Sequence, residues 1–440
     1  MNFERPELPL FFRLRQSFDE TCLTDIEGEV AGQLERSGVA RQIRPGQTVA
    51  ITAGSRGIAN IHRILKAIAA YFQQLGAQPF LVPAMGSHGG GTAEGQRQVI
   101  ESYGVTEAYC GCPIRSSMET VVIAQADEGF PVFFDRHAFE ADHVVVCGRI
   151  KPHTNFAGDI QSGLMKMLMI GLGKKDGAAL YHRAIHEHGF PQIIRSVAPQ
   201  VLRSAKILAG VAIVENARDE TALIEAVLPA DFMIREQKLL QTAIAQMPRL
   251  PFNRVDLLIV DQIGKNISGT GMDTNIIGRK RSEPADRQPH VKRIIVRGLT
   301  AESHGNGCGL GLADFCLTRA IEQMDRRVTV LNCLTACDVS GAMIPVDFPT
   351  DAELLAAATS ILGFTKPRDA RILWIHNTLD LVEIECSAAL LDEARGRADL
   401  EVMGPLHELP VGPEGMLPDW CSRPDDPAKS VGSPGRQRAK

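Results

Sequence analysis

The 440-residue chain is poor in aromatic side chains, in excess positive charge and in long apolar runs. Its 47 basic residues against 52 acidic ones give a formal net charge of -5, so no basic surface of the kind that binds nucleic acid or an anionic membrane is expected. No segment reaches the roughly 20 apolar residues of a membrane helix, and the N-terminus lacks the apolar run of a signal peptide. These features predict a cytoplasmic protein that uses neither a membrane nor a nucleic acid as a partner.

The ten cysteines form no repeating framework, which indicates a reducing compartment. Two closer pairs, Cys110/Cys112 and Cys333/Cys337, lack the second pair that a zinc site requires. The spacing of the later pair also matches no common iron–sulfur motif. An iron–sulfur protein is therefore a disfavoured alternative.

From residue 48 onward, short β-branched apolar runs alternate with segments of helical periodicity. This pattern predicts an α/β fold with mostly parallel sheets. The chain is too long for one compact core, and the proline-bearing stretch 247–254 predicts a boundary between domains at 1–250 and 251–420. Residues 421–440 contain almost nothing that could be buried and are predicted to be disordered.

Strands and helices of the first domain can be placed from turn residues and caps. Strands are predicted at 48–52, 79–85, 143–147 and 206–214, and helices at 60–75, from Thr92 to Gly104, and at 162–170, 176–188 and 192–204. In open α/β sheets the loops after the carboxyl ends of strands form the ligand crevice. The functional residues are therefore expected in those loops.

Two of these loops combine glycines with reactive side chains. The loop AGSRGIAN at 53–60 places Ser55 and Arg56 before a helix, where they could bind a phosphate or carboxylate; an ordinary connector with a solvated arginine explains this segment equally well. The loop GSHGGGT at 86–92 sets His88 beside glycines that let a ligand reach the backbone. Histidine titrates near neutral pH, so His88 could act as a general base, or it could hydrogen-bond its own loop.

Segment 148–190 holds the densest set of reactive side chains. His153 lies in a loop after Pro152. Lys166 lies early in an otherwise apolar helix, which suits an amine with a depressed pKa for covalent chemistry. Alternatively, its stem covers the core while the ammonium reaches water.

Three histidines, His182, His186 and His188, cluster on the next helix. The first two are four residues apart, the spacing with which two histidines bind one metal from a helix. Arg183 stands where a zinc protease needs glutamate, which argues against that class. A solvated helix face is the alternative for His186 and His188.

The second domain contributes two glycine-dense segments. The loop 261–279 follows an apolar strand and carries Lys265 and Asn266, which predicts a ligand loop facing the first domain. It lacks the third glycine of a dinucleotide-binding motif. In segment 302–315, His304, Asn306 and Cys308 could approach the same crevice or shape a turn.

Together these motifs resemble the nickel-dependent lactate racemase family, along most of the first domain and more loosely through the second. The family joins a strand-end loop with a Thr-Arg pair, a loop with a histidine, and a long segment with Pro-His, a lysine and a later histidine. The matching residues here are Ser55-Arg56, Gly86-Ser87-His88, Pro152-His153, Phe156-Ala157-Gly158, Ser162-Gly163, Lys166 and His182.

The resemblance implies a nickel-pincer nucleotide joined covalently to Lys166, with His182 as the nickel ligand. It implies that His88 and His153 are the acid/base pair, and that Arg56 with Ser55 binds the cofactor phosphate or the substrate. Lys265 is the candidate for binding the substrate carboxylate. The first domain would then be the cofactor-binding and catalytic domain, the second would contribute substrate loops to a cleft between them, and cofactor-biosynthesis enzymes would be needed for maturation.

The activity implied is that of a racemase or epimerase, an isomerase of 2-hydroxy acids. One histidine takes the hydroxyl proton while hydride moves reversibly from the α-carbon, and hydride return to the other face inverts the centre. The second-domain loop differs from that of the lactate enzymes, so a 2-hydroxy acid other than lactate is expected. The alternatives are a related hydride-transfer enzyme and a non-catalytic cofactor- or ligand-binding protein of the same fold.

Overall fold

The computed structural model describes residues 7–55, 57–280 and 288–420. Arg56 and the predicted disordered tail at 421–440 lie outside the described residues. The chain divides into two compact units, one formed by residues 19–247 and the other by residues 7–18 with 248–420. Among the described helices, none combines the length and the apolar character needed to cross a membrane.

The described residues form fifteen strands and fourteen α-helices joined by short turns. The strands are β1 (Phe11–Gln16), β2 (Thr48–Ala53), β3 (Gln78–Pro83), β4 (Thr120–Gln125), β5 (Pro131–Asp135), β6 (His143–Arg149), β7 (Ile207–Glu215), β8 (Thr221–Val227), β9 (Arg254–Val260), β10 (His290–Val296), β11 (Phe315–Leu317), β12 (Val346–Phe348), β13 (Ile372–Ile375), β14 (Glu383–Ser387) and β15 (Leu400–His407). The helices are α1 (Ile26–Ser37), α2 (Ile61–Gln74), α3 (Ala93–Glu101), α4 (Glu107–Cys110), α5 (Arg136–Glu140), α6 (Leu164–Lys166), α7 (Lys174–His188), α8 (Phe190–Ser204), α9 (Phe232–Gln246), α10 (Thr274–Ile277), α11 (Thr318–Glu322), α12 (Arg326–Thr335), α13 (Asp351–Ser360) and α14 (Leu391–Arg395).

The unit formed by residues 19–247 is built on a five-stranded sheet in the order β3-β2-β6-β7-β8. The first four strands are parallel and β8 is antiparallel. Successive residues of a strand point to opposite faces, and in β6 Val144 and Val146 join one apolar core while Val145 and Cys147 join another. The sheet is therefore covered on both faces, as the continuous apolar runs predict.

Helix α2 shows how the local sequence sets these elements. It buries Ile61, Ile64, Leu65, Ile68 and Phe72, which recur at helical spacing. The helix ends just before Gly76, whose φ of +78° is a left-handed conformation that glycine adopts without strain. The helix predicted over 60–75 is thus present.

The helix predicted over 162–170 is interrupted. Helix α6 continues into a π-helical turn, Met167–Gly171, in which the Leu172 N–H donates to the Met167 carbonyl at 2.9 Å. In this wider turn Gly171 packs so closely that an added Cβ would lie 2.9 Å from the Ala84 carbonyl oxygen. Such turns are rare and frequently occur at functional sites.

The other unit contains an eight-stranded sheet in the order β12-β11-β10-β9-β13-β14-β1-β15. The strands from β12 to β13 are parallel, and β14, β1 and β15 are antiparallel. The predicted first domain began at residue 1, but β1 pairs between β14 and β15 in this unit. Phe11, Phe12 and Leu14 are buried there, which accounts for the difference.

A buried ionic cluster lies in the same unit. The fully buried guanidinium of Arg297 donates to both carboxylate oxygens of Asp351, at 2.8 and 3.0 Å, and also pairs with Asp261. It further donates to the Leu417 carbonyl at 2.6 Å. Because charges are buried only when paired and hydrogen-bonded, this arginine ties residues distant in sequence to one core.

Candidate functional site

The loops singled out in the sequence follow three adjacent strands. Strands β3, β2 and β6 are parallel neighbours, so the loops that follow them leave the same edge of the sheet. These loops carry His88, Ser55 and His153 respectively. The structure therefore places the three residues at one carboxyl-end edge, where open α/β sheets bind ligands.

Ser55 and His88 are in direct contact. The Ser55 Oγ atom lies 2.5 Å from Nδ1 of His88, and the Tyr103 hydroxyl donates to the Ser55 carbonyl at 2.7 Å. A hydroxyl can both donate and accept, so Ser55 can stay hydrogen-bonded to His88 whether the imidazole is neutral or protonated. The His88 side chain is exposed, as a group that meets a ligand from solvent must be. Tyr103 was not identified from the sequence.

The loop that carries His88 is held by Gln96 of α3. The buried Gln96 amide donates to the carbonyls of Gly86 and His88 at 2.8 and 3.3 Å. The loop lies so close to α3 that a Cβ on Gly89, whose φ is +64°, would be 2.6 Å from the Gln96 nitrogen. Gln96 was not predicted from the sequence, although its position four residues before the buried Ile100 marks it as a polar residue on the inner face of α3.

His153 is fixed by its own loop. Its Nδ1 accepts the backbone N–H groups of Asn155 and Phe156, both at 3.0 Å, and the backbone N–H of His153 donates to Gln161 Oε1 at 2.7 Å. An atom that accepts two N–H groups carries no proton. The neutral imidazole therefore holds its proton on Nε2, which becomes a hydrogen-bond donor.

The Phe156 ring is the common neighbour of several predicted site residues. His153 stacks on it with ring centroids 4.2 Å apart, and Phe190 stacks on it at 4.4 Å. The Lys166 Nζ atom lies 5.4 Å from its centroid, and the His182 ring lies at 6.2 Å. The structure thus brings together His153, Lys166 and His182, which lie up to 29 residues apart in the sequence.

His182 has the electrostatic character of a neutral ligand. Burial, reinforced by the positive charge of Lys166, lowers its pKa to about 4. At neutral pH the ring is therefore uncharged and keeps a lone pair that could bind a metal. His186 and His188 are exposed on the same helix, which fits the solvated face. Across the described part of the chain, no group of three or more His, Cys, Asp or Glu side chains is arranged to hold a metal.

A buried carboxyl group supports the helix that carries Lys166. Glu236 of α9 accepts the Met165 N–H at 2.9 Å and is almost fully buried. Burial raises its pKa to about 7, against the opposing effect of the N–H groups of Met165 and Leu164. Glu236 was not predicted from the sequence; the available signal is a glutamate on the apolar face of α9, four residues after the buried Phe232.

Lys265 lies in the other unit, in the loop after β9. Its Nζ donates to the Gly269 carbonyl at 2.5 Å, and its backbone N–H donates to Ser303 Oγ at 2.9 Å.

Two cysteines of the same unit lie close together. The Sγ atoms of Cys308 and of Cys333, on α12, are 3.6 Å apart. Cys333 is buried and Cys337 is exposed.

The unit that carries these loops contains a segment that matches a known protein family. Residues 26–190 match the family described as the lactate racemase N-terminal domain. The resemblance read from the sequence motifs is thereby confirmed, and the matched segment contains Ser55, His88, His153, Lys166 and His182. No curated protein matches the chain.

Among solved structures, the chain is similar to the lactate racemase apoprotein from Thermoanaerobacterium thermosaccharolyticum. The two share 14% sequence identity with a TM-score of 0.50, over 87% of this chain and 95% of that one. At this identity the likeness concerns the fold alone. The α/β class with mostly parallel sheets is confirmed.

Proposed function

We propose that this protein is an isomerase that racemises or epimerises a 2-hydroxy acid, using a nickel-pincer nucleotide attached to Lys166. The observation that carries the proposal is the convergence of His153, Lys166 and His182 on the Phe156 ring, inside the segment that matches the lactate racemase N-terminal domain. A cofactor-carrying protein would need Lys166 and His182, but it would have no use for the two strand-end histidines.

The residues present fit such a group. His182 offers one neutral nitrogen, and a pincer cofactor brings its remaining metal ligands with it, so no cluster of protein ligands is required. Lys166 supplies the amine for covalent attachment. When bound, the group supplies a reversible acceptor for the hydride of the substrate α-carbon.

His88 is the residue we assign to proton transfer at the substrate hydroxyl. Its Nδ1 is bonded to Ser55 Oγ, and we assign Nε2, the other ring nitrogen, to the substrate. Because the Ser55 hydroxyl can donate or accept, His88 can take up a proton and release it again without losing this contact.

His153 is the second catalytic histidine, and its hydrogen bonds differ from those of His88. Its neutral form presents Nε2–H, which can donate to an oxygen of the substrate. It can enter proton transfer as a base only if the N–H groups of Asn155 and Phe156 release Nδ1. We therefore assign it orientation of the substrate and stabilisation of negative charge on oxygen, with proton transfer dependent on loop rearrangement.

Three residues are assigned to binding the cofactor and the substrate. Ser55 and Arg56 follow β2 and would bind the cofactor phosphate or the substrate. Lys265 is the proposed ligand of the substrate carboxylate, because an ammonium is the complement of that group. The substrate is a small 2-hydroxy acid other than lactate.

Intact-mass spectrometry with nickel analysis tests the proposal. The protein is taken from its native host, or co-expressed with the cofactor-making enzymes. We expect a mass adduct and nickel in the wild type and in the control Lys175→Ala, which changes an exposed lysine on α7. Lys166→Ala should lack both, whereas His182→Ala should keep the adduct and lose nickel.

Turnover is then measured by chiral chromatography with single enantiomers of a panel of 2-hydroxy acids. Interconversion by the loaded wild type, absent in His88→Asn, supports the proposed isomerase. A bare, nickel-free wild type despite a competent cofactor supply refutes the proposal. A loaded protein that converts no member of the panel points to the carrier or to another hydride-transfer reaction.

A further inference from the structure

Lys174 is a buried lysine at the start of α7. Its side chain has no solvent exposure, and its backbone φ of +53° lies in the left-handed region. Lysine is seldom fully buried unless paired, and a left-handed conformation is unfavourable for a residue other than glycine. Two costs at one residue indicate that its contacts matter.

The Lys174 ammonium joins three elements. It donates to the Pro83 carbonyl, at the end of β3, at 2.7 Å and to Gln96 Oε1, on α3, at 2.8 Å. It also lies 3.4 Å from the carboxylate of Asp135, at the end of β5. The Asp135 side chain is itself fully buried and accepts the Ala138 N–H at 2.9 Å.

The orientation of the Gln96 amide follows from its neighbours. An ammonium can only donate, so the Gln96 atom that faces Lys174 must be the oxygen. The amide nitrogen then faces the carbonyls of Gly86 and His88, which can only accept. A continuous set of hydrogen bonds thus leads from Lys174, through Gln96, to the main chain of His88.

We propose that Lys174 and Gln96 are positioning residues, which hold the loop 86–92 so that His88 meets the substrate in one orientation. They act through the backbone and not on the reacting atoms. The inference rests on the proposed function only in taking His88 as a catalytic residue. A purely structural pair would affect the stability of the whole unit, whereas a positioning pair affects this loop first.

Substitutions at Gln96 separate these possibilities. Gln96→Leu removes both the amide oxygen that accepts from Lys174 and the amide nitrogen that donates to the carbonyls of residues 86 and 88. Gln96→Glu keeps an acceptor for Lys174 but replaces the N–H donors by an oxygen that repels the two carbonyls, so it loosens the loop while the ammonium stays paired. Gln98→Leu is the control, because Gln98 is exposed on the same helix and bonds Glu94.

Hydrogen exchange of the full-length protein, followed by mass spectrometry, gives the readout. Within the loop, the N–H groups of His88, Gly91 and Thr92 are hydrogen-bonded to main-chain carbonyls, so their exchange reports loop opening. We expect exchange in residues 86–92 to become about tenfold faster or more in both Gln96 variants. Strands β2 and β6 should exchange as in the wild type, and so should every segment of Gln98→Leu.

Unchanged exchange of 86–92 in both Gln96 variants would overturn the proposal, as would faster exchange spread evenly over the unit. Lys174→Met should match Gln96→Leu in this loop; if it does not fold, the Gln96 variants decide. With loaded enzyme, Gln96→Glu should keep the Lys166 adduct and lose kcat with little change in KM. If the wild type carries no adduct, the proposed function fails, but the exchange data still test the positioning role.

Discussion

The Oε2 atom of the Glu236 carboxyl group accepts the backbone N–H of Met165, one residue before Lys166, at 2.9 Å. Its other oxygen, Oε1, has no hydrogen-bond partner among the described residues. An almost fully buried acid from α9 therefore fixes the start of the helix on which the proposed cofactor attachment depends.

This contact predicts a pH-dependent stability. Burial raises the Glu236 pKa to about 7 from an ordinary value of 4.5. The folded state keeps the proton where the unfolded state has lost it, so the contribution is complete below about pH 4.5 and is lost as the pH rises through 7. Between about pH 5 and 8, we expect the unfolding free energy to fall by roughly 2 kcal/mol more in the wild type than in Glu236→Gln.

Urea unfolding at fixed pH values measures the difference. Glu187→Gln, which changes an exposed glutamate of α7, is the control and should follow the wild type. Parallel curves for the wild type and Glu236→Gln across this range would show that the carboxyl group is charged in the folded state.

The His153 contacts predict a single tautomer. Because Nδ1 accepts two N–H groups, ¹⁵N NMR of histidine-labelled protein should show Nε2 protonated and Nδ1 bare at neutral pH. His153→Gln assigns the signals by their loss. A protonated Nδ1 at neutral pH would contradict the fixed-donor role and would favour His153 as an ordinary acid/base group.

The bond between Ser55 and His88 predicts graded effects on turnover. Removing a neutral hydrogen bond costs about 0.5–1.5 kcal/mol, so Ser55→Ala should lower kcat about 2- to 10-fold in loaded enzyme. Ser55→Thr keeps the hydroxyl and should keep most of the activity. Ser87→Ala, in the loop beside His88, serves as the control. Equal rates for Ser55→Ala and the wild type would remove Ser55 from the proposed site.

The Arg297 cluster predicts a large loss of stability in the other unit. Arg297→Met leaves Asp261 and Asp351 buried without their partner, and breaking a buried pair in this way costs about 3–5 kcal/mol. Arg319→Met breaks the half-exposed pair with Asp419 and one hydrogen bond to the Arg297 carbonyl, so it should cost about 1–2 kcal/mol. Exchange of β9 and β13 should rise in Arg297→Met alone. A change as small as that of Arg319→Met would show that the cluster is dispensable.

Local features of the sequence determined the α/β class, most strand and helix positions, and the loops that carry Ser55, His88 and His153. These follow from apolar periodicity, capping residues and glycines, which act over a few residues. The same loops carry the motifs that resemble the lactate racemases. The residue types and spacings were enough to single out Lys166 and His182, whose roles stay predictions.

Only the tertiary structure decided which distant groups meet. Strand β1 pairs with β14 and β15. The alternation of apolar and polar residues at 12–15 indicates a strand, but it does not specify which distant strands pair with it. Gln96, Lys174 and Glu236 were missed because a polar residue on an apolar face is ambiguous until its buried partners are known. The tautomer of His153 likewise depends on two N–H groups that its loop turns inward, and turn geometry at that scale is set by packing around Phe156.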